Sequence, residues 1–441
     1  MIVHGEAEWD AWYLDPRRFA GYANQKFTLD KAIEDFRNEF HYVLPREYRS
    51  ASRQMRTTPL YSVLDQLNCH WGVVAGWERS LFFKPSRAFV DEPGFRFNST
   101  KEVVAEEVRQ LVNGVGLMEV SGFNRYEISG PGARNFLDTM ICGNMPARIG
   151  DVRLCYLLSE AGNILSEATI AWLAEDAFWY GSAAASQMHD RDWLNCYKPK
   201  DVEVLEMTES RTTLVLAGPE SRHLLNALLT GCSISAEVFP WMAVRKIMIG
   251  QVRLVAMSVS FSGELAYELH VENSSLCQVW QALVSAGEKF GFVHFGLYAT
   301  ESMRIEKGCL AWKSDLIREY NPIETGLGRF VKLDKPYFVG KQGLIRQLEY
   351  QTKRKLVSIS VDCDHACAHS GTPVYFKDPL IGSVTSGQYG HRTGINFALA
   401  FVNPGHSDIG RLVELEILGD QYPGVIIDPC QYGRLNRRVR A

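Results

Sequence analysis

No stretch of this 441-residue chain holds the ~20 consecutive apolar residues that a bilayer-spanning helix needs. Nor does charge of one sign accumulate. Forty-seven lysines and arginines face 51 aspartates and glutamates, a net of −4, so electrostatics call for neither nucleic acid nor an anionic membrane. None of the ten cysteines forms a Cys-x-x-Cys pair. The nearest two, Cys363 and Cys367, lie with His365 and His369 in a polar stretch before Gly371-Thr-Pro373, and a loop explains them better than a metal site. Scattered thiols in this number fit a reducing cytoplasm rather than a disulfide framework. The opening Met1-Ile-Val-His-Gly-Glu-Ala-Glu8 lacks the basic and apolar regions of a signal peptide. No Gly-x-Gly-x-x-Gly follows a strand near the N-terminus, which removes the usual dinucleotide cradle. A cytoplasmic protein without a metal is the expectation.

What is present is ordinary for a globular protein: 46% hydrophobic and 22% charged residues, over a length that implies about two or three domains. Residues 1–55 are rich in aromatics and arginine, including Trp9, Trp12, Tyr13, Arg17, Arg18 and Phe19. A helix is expected from Leu29 to Phe40, with Ile33, Phe36 and Phe40 on one stripe and Pro45 beyond it. This segment reads as an arm that wraps another surface.

Residues 56–350 mix helices with alternating strands. Thr100 is the expected N-cap of a helix over Lys101–Val112 that ends at Gly114. Tyr126-Glu-Ile-Ser-Gly-Pro-Gly132 reads as a strand entering a turn before a helix over Ala133–Met140. Thr213-Leu-Val-Leu-Ala-Gly-Pro-Glu220 repeats the idea before a helix from Ser221. That echo predicts two related α+β units. In residues 351–441 strands dominate, separated by turns, as in a small β-barrel or sandwich.

The segment most informative about chemistry is Phe261-Ser-Gly-Glu-Leu-Ala-Tyr-Glu268. A carboxylate behind a tight Ser262-Gly263 turn can take two parallel N–H donors from a planar heterocycle, and an aromatic upstream can cover its face. A folate pterin offers such an edge. Charge-assisted bonds of this kind contribute roughly 1.5–3 kcal/mol each. The plainer reading of the same residues is a hairpin turn followed by a strand.

Several phrases together resemble one family. Arg56-Thr-Thr-Pro-Leu-Tyr61 with Gly76-Trp-Glu78, Tyr126 to Ala133, Gly162-Asn-Ile-Leu-Ser-Glu167, Ser262 to Glu268 and Met303-Arg-Ile-Glu-Lys-Gly308 are similar to the folate-binding aminomethyltransferases, the glycine-cleavage T-proteins. Asp15-Pro-Arg-Arg-Phe19, Glu319 to Gly328 and Thr385 to His391 extend the likeness to the C-terminal halves of dimethylglycine and sarcosine dehydrogenases. The resemblance implies a cloverleaf of three subdomains around a central tetrahydrofolate site, ending in the β-barrel. The missing dinucleotide fingerprint implies that the flavin domain of those dehydrogenases is absent, so a one-carbon unit is either made elsewhere or taken directly from a substrate.

The same resemblance assigns roles. Glu167 falls where the family has an aspartate beside the folate nitrogens; the extra methylene shifts its carboxylate by roughly an ångström, enough to matter where positioning governs rate. It would hold or remove a proton there, or steady a developing cation. Phe261 replaces a usual tyrosine, and Glu268 matches the carboxylate that reads the pterin edge. Arg304 pairs with the glutamate tail of the folate or holds the fold together. Trp312 falls at an aromatic near the folate, or in the core. Leu154 and Ala171 replace common tyrosines, and with Tyr61 and Trp71 they imply a wide apolar substrate pocket. His70 is either a proton donor to a leaving oxygen or a packed core histidine.

Three functions follow. The preferred one is a tetrahydrofolate-dependent demethylase acting on a methoxy- or methylenedioxy-aromatic. The second is a folate-binding subunit that captures one-carbon units from a separate flavoprotein, docked through the N-terminal arm. The third is a non-catalytic, folate-binding regulatory protein.

Overall fold

Two strand–turn–helix passages seed the two main sheets. The first runs from the strand Asn124–Ser129 through Gly130-Pro131-Gly132 into the helix Ala133–Met140, and the second from Arg211–Ala217 through Gly218-Pro219 into Ser221–Leu228. The corner glycines have φ of 113° at Gly130 and 120° at Gly218. A Cβ would meet the Asp201 carbonyl oxygen at 2.2 Å in one and that of Gly114 at 2.5 Å in the other, so no larger residue fits. Each helix leads into a three-strand meander. In the first passage it comprises Val152–Leu158, Ile164–Ala174 and Ala177–Ser182; in the second, Ala243–Ile249, Val252–Ser258 and Ala266–Glu272. The last strand of each meander pairs antiparallel with the strand that opened its passage. The echo read from the sequence is therefore a duplicated topology.

The computed structural model describes residues 11–229, 233–350 and 352–441; Trp9 and Cys232 lie outside them, as does the side chain of Tyr13. The chain forms two compact units. One comprises Met1–Ala23, Gly122–Thr208 and Ala311–Leu356. It carries a five-stranded sheet whose remaining strand is Glu203–Glu206. One face of that sheet, including Tyr126, Ile128, Cys155, Leu157, Ala168 and Ile170, packs on Phe136, Leu137 and Met140 of the helix. Each such buried side chain contributes about 1.5–3 kcal/mol relative to exposure.

The other unit comprises Asn24–Ser121, Glu209–Leu310 and Val357–Ala441. Its six-stranded sheet adds Val115–Val120 and Phe292–His294, the latter pair parallel. Apolar residues cover both faces. On one side Leu214, Leu216, Tyr267 and Leu269 meet Leu276, Val279 and Leu283 of the helix Leu276–Gly287; on the other Met118, Val120 and Ala266 meet Ala299 and Met303 of the helix Leu297–Lys307. A closed six-stranded barrel ends this unit, formed by Lys355–Val361, Pro373–Tyr375, Leu380–Gly390, Ile395–Val402, Leu412–Ile417 and Asp420–Ile427. The class is thus α+β with a C-terminal barrel, and closure leaves the barrel no free edge.

Two local expectations shift. The N-terminal helix spans Gln25–Arg37, because the Asn24 side chain caps it by accepting from Phe27 N; Phe40 lies in the turn beyond. The helix Thr100–Asn113 has Ser99, not Thr100, at its N-cap. The Thr100 hydroxyl is engaged instead with Asp91 Oδ1, at 2.5 Å.

Candidate functional site

Within the first unit the site candidate with the most distinctive surroundings is Glu167. The strands Val152–Leu158 and Ile164–Ala174 form a hairpin in which Tyr156 lies directly across from Glu167 and Leu154 across from Thr169. Cys155, Leu157, Ala168 and Ile170 face the helix, so the alternation of a strand puts Leu154, Tyr156, Glu167 and Ala171 on the opposite face. The Tyr156 hydroxyl donates to Glu167 Oε2 at 2.7 Å. Protein atoms surround this carboxyl densely although the residue keeps some accessible surface; burial pushes its pKa up to about 7, against the lowering effect of the tyrosine bond. A carboxyl that titrates near neutrality can both take and give a proton. On the core side the neighbouring Ser166 hydroxyl donates to Asp190 Oδ2 at 2.9 Å, and Tyr180 does so at 3.0 Å, which fixes the strand that bears Glu167.

Leu154 and Ala171 do share a face with Glu167, but that face is less apolar than expected because Tyr156 stands beside them. Trp312 lines a shallow, solvent-open crevice of this unit with Trp12, Leu316 and Ile317, and Glu167 is not part of that lining.

The second unit holds the remaining candidates. Phe261 is 42% exposed, in the loop before the strand Ala266–Glu272, so its ring is available to a ligand. Glu268 sits on that strand opposite Val215, half-buried. Its Oε2 lies 3.4 Å from His270 Nε2, while His270 Nδ1 is 3.2 Å from the Thr213 hydroxyl. The 3.4 Å approach to His270 is a close contact without hydrogen-bond geometry, so the Glu268 carboxylate keeps its acceptor capacity.

Arg304 behaves differently. It is 2% exposed, and its guanidinium donates to Glu301 Oε2 at 2.8 Å, to the Cys309 carbonyl at 3.2 Å and to Ser386 Oγ at 3.2 Å. This network favours the fold-holding alternative. Tyr61 and Trp71 stack with centroids 4.6 Å apart, and Trp71 Nε1 donates to Asp65 at 3.2 Å. His70 packs on Phe82 at 4.8 Å, with Nε2 3.8 Å from Asp91 Oδ2, too long for a hydrogen bond. Burial holds its pKa below the usual histidine value, against the pull of Asp91.

Sequence reasoning missed Tyr156 and His270. Both were reachable: a hairpin turning at Gly162 sets residue 156 near 167, and residue 270 shares a strand face with 268.

Residues 60–335 match the GCVT N-terminal domain, residues 354–432 the glycine cleavage T-protein C-terminal barrel domain, and residues 4–58 the FAD dependent oxidoreductase central domain. The chain is 32% identical over 97% of its length to the mitochondrial dimethylglycine dehydrogenase of Rattus norvegicus, and it spans about half (50%) of that protein. It is 27% identical over 88% of its length to an aminomethyltransferase of Symbiobacterium thermophilum, all of which is covered. Its fold resembles the crystal structure of glycine cleavage system aminomethyltransferase T from Bartonella henselae, with a TM-score of 0.75, 22% identity, and 87% and 99% of the two chains covered. The cytoplasmic expectation is corrected by these relatives, since the dehydrogenase is mitochondrial. Free thiols report a reducing environment, which the cytoplasm is not alone in providing. The chain belongs to the glycine-cleavage T-protein, or aminomethyltransferase, family, whose shared chemistry is tetrahydrofolate-linked one-carbon transfer, and it corresponds to the C-terminal half of the dimethylglycine and sarcosine dehydrogenases.

Proposed function

We propose that this chain captures, on tetrahydrofolate, the one-carbon unit released by a separate flavin-dependent amine dehydrogenase. The observation that carries the chemistry is the near-neutral carboxyl of Glu167 beside Tyr156. The residues fit a reduced folate: Glu268 is a partly accessible acceptor, and Phe261 offers an exposed ring. In the second unit Glu268 would take the paired N–H donors of the pteridine edge, and Phe261 would cover its face. Bound folate supplies a nucleophilic nitrogen. Ionised Glu167 would accept the proton of a nitrogen that adds to an iminium carbon and would return it to the amine whose carbon–nitrogen bond then breaks. Tyr156 holds the carboxylate in place and stabilises its charged form. Arg304 keeps the helix Leu297–Lys307 anchored to the barrel.

The partner is inferred from the arm. Residues 4–58 match a domain of FAD-dependent oxidoreductases. The helix Gln25–Arg37 is inside-out. Its polar side chains Glu34 and Asp30 bond to Ala51 N and the Ser52 hydroxyl, whereas Phe36 is 78% and Phe40 93% exposed. An exposed apolar stripe of this kind marks a docking surface, here for the flavoprotein.

A second reading, direct demethylation of an aromatic ether, draws on Leu154 and Ala171, which share a strand face with Glu167. One experiment separates the two. The purified chain is incubated with tetrahydrofolate and a panel of methylamines and methoxy- or methylenedioxy-aromatics, with and without a flavin-dependent dimethylglycine dehydrogenase, and the folate product is read by mass. Product only with the flavoprotein supports capture; product from an aromatic ether alone overturns it.

A further inference from the structure

The turn that carries Phe261 is gripped from three directions. Arg392, in the connection between the barrel strands Leu380–Gly390 and Ile395–Val402, donates to the Ser262 carbonyl at 2.9 Å and to Glu264 Oε1 at 2.8 Å. The same guanidinium reaches the Met303 carbonyl at 2.6 Å and Glu306 Oε2 at 2.5 Å, on the helix Leu297–Lys307. From the C-terminal segment, Arg438 Nη1 donates to Glu264 Oε2 at 2.9 Å. The Tyr432 ring lies 3.7 Å from the Arg392 guanidinium carbon and 5.6 Å from that of Arg438. Lys307 ties the tail down by donating to the Gly433 carbonyl and Asn436 Oδ1, each at 2.6 Å. Gly263, with φ of 85°, sets the turn; a Cβ would stand 3.0 Å from Lys307 Cδ.

Glu264 and Arg392 are 1% and 3% exposed at their side chains, and so is Glu306 at 0%, whereas Arg438 is half exposed. Two buried carboxylates are thus balanced by two guanidinium groups, and the outer one comes from the last four residues of the chain. Removing it leaves a buried negative charge uncompensated directly behind the turn. Glu264, Glu306 and Arg392 are buried behind the turn, so their contacts fix the loop.

We infer that the C-terminal segment is a clamp that presets the Ser262-Gly263-Glu264 turn, with Arg438 and Tyr432 as positioning residues for the Phe261 ring on the pteridine. This rests on the folate reading proposed above. Presetting a loop strengthens binding by cutting the ordering that must accompany it, and the gain shows mainly as slower release.

The test uses the full chain in three forms, wild type, Arg438→Ala and Arg438→Lys, with Arg411→Ala on the barrel surface as control. Two quantities are read: amide hydrogen exchange over residues 260–266 in the ligand-free protein, and the affinity and release rate of tetrahydrofolate. Arg438→Ala should exchange faster at the turn and bind about tenfold more weakly, mainly through faster release, while Arg438→Lys recovers part of both. The melting temperature of Arg438→Ala should fall below that of Arg411→Ala, because buried Glu264 loses a partner, while exchange outside residues 260–266 should stay unchanged at the assay temperature, which a general loss of packing would not permit. Faster exchange with unchanged affinity would overturn the inference alone. A wild-type protein that binds no reduced folate would overturn the inference together with the functional reading, while the exchange data would still report the clamp.

Discussion

Substituting Tyr156 by phenylalanine removes one hydroxyl and asks whether the carboxyl beside it works as a base. Burial places the Glu167 pKa at about 7, and the 2.7 Å bond from Tyr156 pulls it down toward that value. A hydrogen bond to a charged group contributes roughly 1.5–3 kcal/mol, and 1.36 kcal/mol corresponds to one pKa unit. Water reaching the partly accessible carboxyl replaces some of the lost bond, so a rise of about one unit is expected. The ionised form is the base. The wild-type rate of transfer should therefore climb through pH 7 to a plateau, and the variant's climb should come about one unit higher. At neutral pH the ionised fraction falls from about one half to about one tenth, a roughly fivefold loss, whereas the plateau is retained. The assay is the pH dependence of kcat/KM for one-carbon transfer to tetrahydrofolate with the flavoprotein in excess. A limb that stays in place, or moves to lower pH, would refute the reasoning.

Glu167→Gln should abolish transfer and leave tetrahydrofolate bound, as read by equilibrium binding beside turnover. Because the folded chain holds this proton more tightly than the usual 4.5, the stability it contributes is complete below that pH and lost as pH rises through about 7; the glutamine variant should flatten this decline in denaturant titrations. Arg304→Ala should lower folding stability by about 2–3 kcal/mol, seen as a lower denaturation midpoint, because it removes a buried side chain and its bonds to Cys309, Ser386 and the partly exposed Glu301. Its effect on folate affinity, once folded protein is compared, should be small. Phe36→Ser with Phe40→Ser should leave the melting temperature within a degree or two, since both rings are exposed, yet abolish flavoprotein association in sedimentation velocity.

The duplicated α+β passages and the barrel strands were legible because their signals are local. Gly130-Pro131 and Gly218-Pro219 force corners that only glycine can turn, and alternation marks the strands on either side. The N-cap at Ser99 was not legible, because the Thr100 hydroxyl is drawn to Asp91, a partner nine residues earlier across a loop. Glu167 and Glu268 were found through their phrases, but the groups that stand beside them were not. Tyr156 lies across a hairpin and His270 along a strand face, and neither stands in a contiguous pattern. Arg304 shows the opposite limit. An arginine on a helix reads the same whether it faces a ligand or a neighbouring carboxylate, and only its contacts with Glu301, Cys309 and Ser386 separate the two. The clamp on the Phe261 turn joins residues more than a hundred positions apart, and no spacing in the sequence announces it.

The most direct measurement is the equilibrium affinity of the purified chain for tetrahydrofolate, taken in parallel on wild type and Glu268→Ala. Saturable binding that weakens by about 2–4 kcal/mol in the variant is the predicted result, since the pteridine donors then face no acceptor. Wild-type protein that does not bind the reduced folate, or a variant that binds it equally well, would contradict the account.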